Sequence, residues 1–370
     1  MDWWAKLATN DSVTVIRPPG PLADPVSHLV ASLEKPESYP PLARIFTPSD
    51  RVVLAPDRFF CRSSELLAPI LRKVGEAGVR LHQITFLLAE PEDEEILLDK
   101  LPEEFEEATI TVHEPADPRR NAIVAHTVAG KRLALARVLV EADQILVAGK
   151  LGLHAHSGWV GGASQLWPTL AEKQPENSHT WKFGTGLRPD DSVELQEQKE
   201  ACWLIGAPFF IMALPGAEHG ITQVISGSDD ALALARAKHL EEWAVPAHRD
   251  YARGVAVWSS AQKQIEFSEI VDTACRLGES LQPGKEIAID VGTRFEQPAS
   301  LKELRSGEFL HGERMARIWS KIISRNPVYF LGDGSEVMAK VLGASGHRKS
   351  FESDSPSSGQ TLILENGAWR

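Results

Sequence analysis

Apolar and polar positions alternate in blocks along this chain, with short apolar runs separated by stretches of helical spacing. From residue 51, "RVVLAP" predicts a strand and "SSELLAPILRKVGEAGV" an amphipathic helix that starts at Ser63 and Ser64 and stops at Gly78. "ITFLLAE" and "ATITVHEP" predict two more strands, "KRLALARVLVEA" a helix, and "DQILVAGK" a strand. The pattern resumes with strands in "FFIMALPG" and "ITQVISG" and a helix in "SDDALALARAKHLEEWA". After "VPAHRDYARG", a fresh unit reads as strand "VAVWSS", helix "FSEIVDTACRLGESL", turn "QPGK" and strand "EIAIDVG", with a further strand and helix in "RNPVYFLGDGSEVMAKVLGA" and a last strand in "TLILEN".

Strands that alternate with helices imply parallel sheets covered by helices. The expected fold class is therefore α/β: two α/β domains with mostly parallel, Rossmann-like sheets and a cleft between them. The expected boundaries are 1–245 and 246–370, the second domain being smaller and carrying a partly flexible Ser-rich tail, "SFESDSPSSGQ". A length of 370 residues suits two domains, and 43% hydrophobic with 24% charged residues is ordinary globular composition.

A net charge of -12 argues against a broad phosphate-binding surface, so no nucleic-acid partner is expected. The uncharged run "ACWLIGAPFFIMALPGA", residues 201–217, is interrupted by Pro208 and Pro215. It falls short of the ~20 apolar residues of a spanning helix, so it predicts a loop feeding a buried strand, and no membrane partner is expected. The amino-terminal residues lack the basic and apolar regions of a signal peptide. Cys61, Cys202 and Cys275 are odd in number and widely spaced, which predicts buried free thiols and a cytoplasmic location.

The stretch that breaks both periodicities is "GKLGLHAHSGWVGGASQLWP", residues 149–168. It follows a predicted strand, and in open parallel sheets ligands bind beyond the carboxyl ends of strands. His154 and His156 are thereby expected at the mouth of a cleft, with His179 able to return to it. Histidine suits proton transfer near neutral pH and metal ligation alike. Gly161 and Gly162 would let backbone amides approach an anion or a flat cofactor, walled by Trp159 and Trp167.

The order of these motifs, from about residue 50 to about residue 295, resembles the lactate racemase family. The likeness is carried by the strand and loop ending in "HAHSGWVGGASQLWP", by the downstream histidine in "ENSH", by "FFIMALPGAEHGITQVISGS" and by "LQPGKEIAIDVG". The resemblance implies racemisation or epimerisation of a small 2-hydroxy acid at a nickel pincer nucleotide derived from nicotinate. Aligned on Gly161 and Gly162, His154 takes the position of a catalytic histidine and His179 lies within one position of the nickel-binding histidine.

The chain departs from the family pattern in several places. Ser164 stands where the family lysine covalently holds the cofactor, and a hydroxyl cannot form that amide link; Lys150 and Lys173 are the nearby candidates for a substitute. A second catalytic histidine is replaced by "EPEDEE", with Asp93 nearest its position. The family's "D-x-T-R-P" becomes "PDRFFCRSS", which keeps Asp57 and offers Arg58 or Arg62 as the carboxylate clamp, Arg62 being assigned with Asp57 to the substrate. Gln262 and Lys263 resemble residues that contact cofactor or substrate, and Lys263 is assigned with Gly161, Gly162 and Ser164 to cofactor binding. Two other readings stay open: a binding or regulatory protein that keeps the cleft, and metal-assisted hydrolysis by His154, His156 and His179 with a carboxylate from Asp93, Glu176 or Asp190.

Overall fold

The computed structural model describes residues 12–128, 130–154, 158–172, 193–206, 208–217, 220–242, 251–258, 267–291, 313–332, 335–348 and 360–365. Its strands are β1 (Val13–Ile16), β2 (Val52–Pro56), β3 (Ile84–Leu88), β4 (Thr109–Val112), β5 (Asn121–His126), β6 (Arg132–Ala136), β7 (Gln144–Lys150), β8 (Gly152–His154), β9 (Gly158–Val160), β10 (Phe209–Pro215), β11 (Ile221–Gly227), β12 (Tyr251–Val257), β13 (Glu286–Asp290), β14 (Val328–Leu331), β15 (Gly346–Arg348) and β16 (Gln360–Glu365). They form two six-stranded sheets and two small hairpins. The expected α/β class with mostly parallel sheets is what the chain adopts.

The first sheet runs β11-β10-β7-β2-β3-β4, and every pair is parallel except β10 with β11. Alternate residues of its central strands enter opposite cores. Val53, Ala55 and Val147 pack on one face, and Val52, Leu54, Leu146 and Ala148 on the other. Both faces are covered, which is why these strands read as continuous apolar runs rather than as alternation. The helix Ser64–Glu76 covers the second of these cores with Leu67, Ile70, Leu71 and Val74.

The second sheet is wholly parallel, in the order β1-β16-β12-β13-β14-β15. Its edge strand β1 comes from the amino terminus and pairs with the last strand, Val13 opposite Thr361. One cut near residue 245 therefore does not separate the sheets, because residues 13–16 lie in the sheet built otherwise from residues 251–365. The helix Phe267–Ser280 lays Ile270, Val271, Ala274 and Leu277 on this sheet.

Two local expectations change. "KRLALARVLVEA" is not one helix: Arg132–Ala136 is strand β6 and only Arg137–Glu141 is helical. The Leu and Ala residues favour a helix locally, but β6 has partners on both sides. It pairs with β5, and on its other side the Ala136 amide donates to Leu170 O at 2.9 Å while the Glu172 amide donates to Ala134 O at 2.9 Å. Those tertiary bonds outweigh a propensity worth only tenths of a kcal/mol per residue, roughly. Within 201–217, the first residues close the helix Val193–Leu204 instead of forming a loop, and β10 is buried throughout, as expected. Among the described residues no helix is long and apolar enough to cross a membrane. Cys61, Cys202 and Cys275 are all free and buried.

Candidate active site at the carboxyl end of the first sheet

From β2 the chain runs outward through β3 and β4, then returns to the other side of β2 through β7 and β10. The carboxyl ends of β2 and β7 thus flank the point where the winding reverses, the place where open parallel sheets form a crevice. Asp57 follows β2 directly. Its Oδ1 accepts the Phe60 amide at 2.9 Å and caps the helix Arg58–Arg62, and its Oδ2 accepts the Lys150 amide at 2.6 Å. Its own N–H donates to Ala148 O at 2.9 Å, so one residue joins both strand ends. Desolvation lifts the Asp57 pKa to about 6, against the pull of the Lys150 and Phe60 amides and of the Lys150 charge.

Arg58, on the next residue, donates Nε to Asp93 Oδ1 at 2.6 Å, with Glu92 at 3.8 Å from its Nη2. Asp93 lies in the first turn of the helix Pro91–Lys100 and is 5% exposed, whereas the Arg58 side chain is 47% exposed. A carboxylate so paired is held as an anchor for the guanidinium. Lys150, the last residue of β7, sets its Nζ 5.0 Å from the centre of the Phe59 ring. Arg62 ends the short helix and is exposed, with no ion pair among the described residues. Asp57, Arg58, Lys150 and Asp93 are therefore brought together, and Arg58 rather than Arg62 is the arginine tied to Asp93. Burial, with Asp93 and Asp57 beside it, pushes the Cys61 thiol up to about 12, which removes it as a nucleophile near neutral pH.

After Leu151 the loop forms a hairpin in which Leu153 pairs with Trp159 and His154 with Gly158. His154 ends β8, so its backbone leads away from the carboxyl end of β7. Gly161 and Gly162 then take φ of +84° and +57°, the left-handed region. A Cβ at Gly161 would meet the Lys150 carbonyl, and one at Gly162 the side chain of Leu232. What the glycines permit here is a close turn of the chain against itself. The Gly162 amide is also used internally, donating to Gln165 Oε1 at 2.9 Å.

Gln165 is a residue that the sequence pattern did not single out, because a lone glutamine in a loop has no spacing that marks it. It is 9% exposed, and its Nε2 donates to Ala148 O at 3.1 Å and Ala55 O at 3.4 Å. The amide fills the notch left by Gly149, whose Cβ would collide with it. Gln165 thereby fastens the glycine turn to the ends of β2 and β7. Ser164 beside it is 8% exposed and donates its hydroxyl to Gly161 O at 3.2 Å.

The chemistry of this donor set does not fit a covalently held pincer nucleotide at position 164, since a serine hydroxyl cannot form the amide link and here serves the turn. His156, Lys173, Glu176, His179, Asp190, Gln262 and Lys263 lie outside the described residues. Among the described residues no group of three or more His, Cys, Asp and Glu side chains could hold a metal ion.

Fold and site define a doubly wound α/β protein with a charged shelf where the winding of its first sheet reverses. Residues 4–181 match the lactate racemase N-terminal domain family. The fold is similar to that of the lactate racemase apoprotein from Thermoanaerobacterium thermosaccharolyticum, with a TM-score of 0.73 over 97% of this chain and 95% of that one at 14% identity. A protein from Thermotoga maritima shares the fold more loosely, with a TM-score of 0.57 over 95% and 98% of the two chains at 14% identity. No curated protein matches the sequence. Residues 4–181 of the 370 thus form a stretch that matches a lactate racemase N-terminal domain, and the rest of the chain shares the fold.

Proposed function

We propose that the protein is a racemase- or epimerase-type isomerase that acts on a small 2-hydroxy acid. The observation that supports this reading is the clustering of Asp57, Arg58 and Lys150 at the β2 and β7 ends of a fold similar to that of a lactate racemase, with β8 starting two residues after Lys150. Arg58 is fixed by Asp93 through Nε, and its half-exposed guanidinium, with Glu92 at 3.8 Å from Nη2, is assigned the substrate carboxylate. Lys150 adds a second cation at the same edge, with its backbone held by Asp57. His154 is assigned proton transfer at the substrate α-carbon, a task suited to an imidazole near neutral pH.

The family's nickel pincer nucleotide, when bound, supplies a hydride acceptor. Because Ser164 does not fit a covalent anchor, the reading routes no step through such a group. Small organic acids are the expected ligands, with no role for nucleic acid or membrane.

The test is deuterium exchange at the α-carbon across a panel of 2-hydroxy acids, using protein co-expressed with enzymes that make the pincer nucleotide. His154→Ala should abolish exchange while leaving the circular dichroism spectrum unchanged. Full exchange in that variant overturns the assignment of His154, and no exchange with any acid in the unaltered protein overturns the isomerase reading.

A further inference from the structure

The helix Phe267–Ser280 is strongly amphipathic, and its apolar stripe lies on the second sheet. Its opposite stripe is polar, with Glu269, Asp272, Thr273, Arg276 and Ser280 at helical spacing, and would ordinarily face water. All of these are buried, with exposures from 0% at Thr273 to 7% at Glu269. A buried arginine is costly unless its N–H groups and charge are met. Burial pulls the Arg276 pKa well below its ordinary value, and the charge of Asp272, one turn earlier on the same face, acts against that pull.

One hydrogen bond of Arg276 reaches beyond its own sheet. Its Nη2 donates to the backbone carbonyl of Leu153 at 3.2 Å, across the boundary between the two sheets and into the β8–β9 hairpin. Leu153 immediately precedes His154 and pairs with Trp159. β8 is only three residues long and has β9 as its ladder partner, with Leu153 and Trp159 buried in the first core, and the Arg276 bond adds a polar tie from outside the hairpin.

We propose that Arg276 is a positioning residue, by which the polar face of the helix Phe267–Ser280 holds the strand that bears His154 at the carboxyl end of the first sheet. Polar contacts between domains resemble transient interfaces and can part and re-form. Separation of the two sheets would release β8 at the Leu153 carbonyl, and their approach would seat it. Arg276 thus makes the placement of His154 depend on the second domain. The coupling stands whatever reaction the site performs; its value for proton transfer rests on the isomerase reading above.

The test is hydrogen exchange, read by mass spectrometry on the full chain without substrate or cofactor, so that it is independent of activity. Arg276→Met should raise exchange at residues 152–160 by about tenfold or more, the equivalent of one lost buried hydrogen bond, with β7 and β13 unchanged. In protein labelled with [13C]histidine, the ring resonances of His154 should shift. Arg276→Lys, which keeps the cation but not the planar fork, should show a smaller rise and keeps the test open if the methionine variant does not fold. Thr273→Val is the control, because the Thr273 hydroxyl donates to Glu269 O within its own helix. Exchange at 152–160 that stays at the wild-type rate, or that rises equally in Thr273→Val or uniformly in both sheets, overturns the proposal.

Discussion

The two sheets are wound alike, yet among the described residues a charged shelf is seen at the end of the first. In the first, β2 sits beside β7 where the winding reverses; in the second, β12 sits beside β16 in the same relation. At the carboxyl end of β2 the chain turns at once through Asp57 and Arg58, facing Lys150 at the end of β7. At the end of β12 stands Trp258, 1% exposed, and β16 ends at Glu365, which pairs with Arg17 at 3.0 Å. Topology places a reversal of winding in each sheet, and the described residues placed there differ in charge.

The comparison can be broken most sharply at glycines in paired strands. Gly149→Ala in β7 should cost about 3 kcal/mol in urea unfolding, because the new methyl displaces a glutamine amide already committed to Gly162, Ala148 and Ala55. Gln165→Ala alone should cost about 2 kcal/mol, and the double variant clearly less than the sum, since the two changes share one contact. Strict additivity would show that the notch and the amide are not coupled.

Next comes Arg58→Met, which strands the nearly buried Asp93 carboxylate and should cost about 2 kcal/mol, with Arg58→Met/Asp93→Leu recovering most of it. Equal loss in the single and double variants would place the cost elsewhere than in the ion pair.

A smaller effect is expected in pH dependence. The Asp57 pKa is raised from 3.8 to about 6, so its contribution to stability is fully present below 3.8 and is lost as pH rises through about 6. His113 acts oppositely. Burial lowers its pKa below 6.5, although its bond to Ala171 O pulls the other way, and its contribution is present above 6.5 and lost as pH falls below that value. Asp57→Asn should therefore steepen the loss of stability on acidification between pH 6 and 4, and a wild-type slope in that variant would show that Asp57 is not desolvated.

The smallest effect is expected at Gly254→Ala in β12, about 1 kcal/mol. There the methyl meets the Cδ tips of the buried Leu277 and Leu281 and, at 3.3 Å, the Leu277 Cβ, with no hydrogen bond displaced. A cost matching that of Gly149→Ala would erase the contrast between the sheets.

The apolar runs at residues 52–56, 84–88, 144–150 and 209–215 determined the parallel sheet by themselves, because strands buried on both faces need no partner to declare their composition. The likeness to a lactate racemase N-terminal domain was also legible in the loop after β7, since its glycines and histidines are local features. The rest required the folded chain. β6 is a strand only because β5 and residues 170–172 bond to it, and β1 joins the second sheet only because the chain ends meet. Gly161 and Gly162 looked suited to a ligand's approach, but their neighbours are Lys150 O and Leu232, and the amide of Gly162 is met by Gln165. Which arginine faces Asp93, what Gln165 fastens and where Arg276 reaches are distances between residues far apart in sequence. Hydrogen bonds and close packing act over a few ångströms of space, and residue spacing along a chain does not encode that proximity.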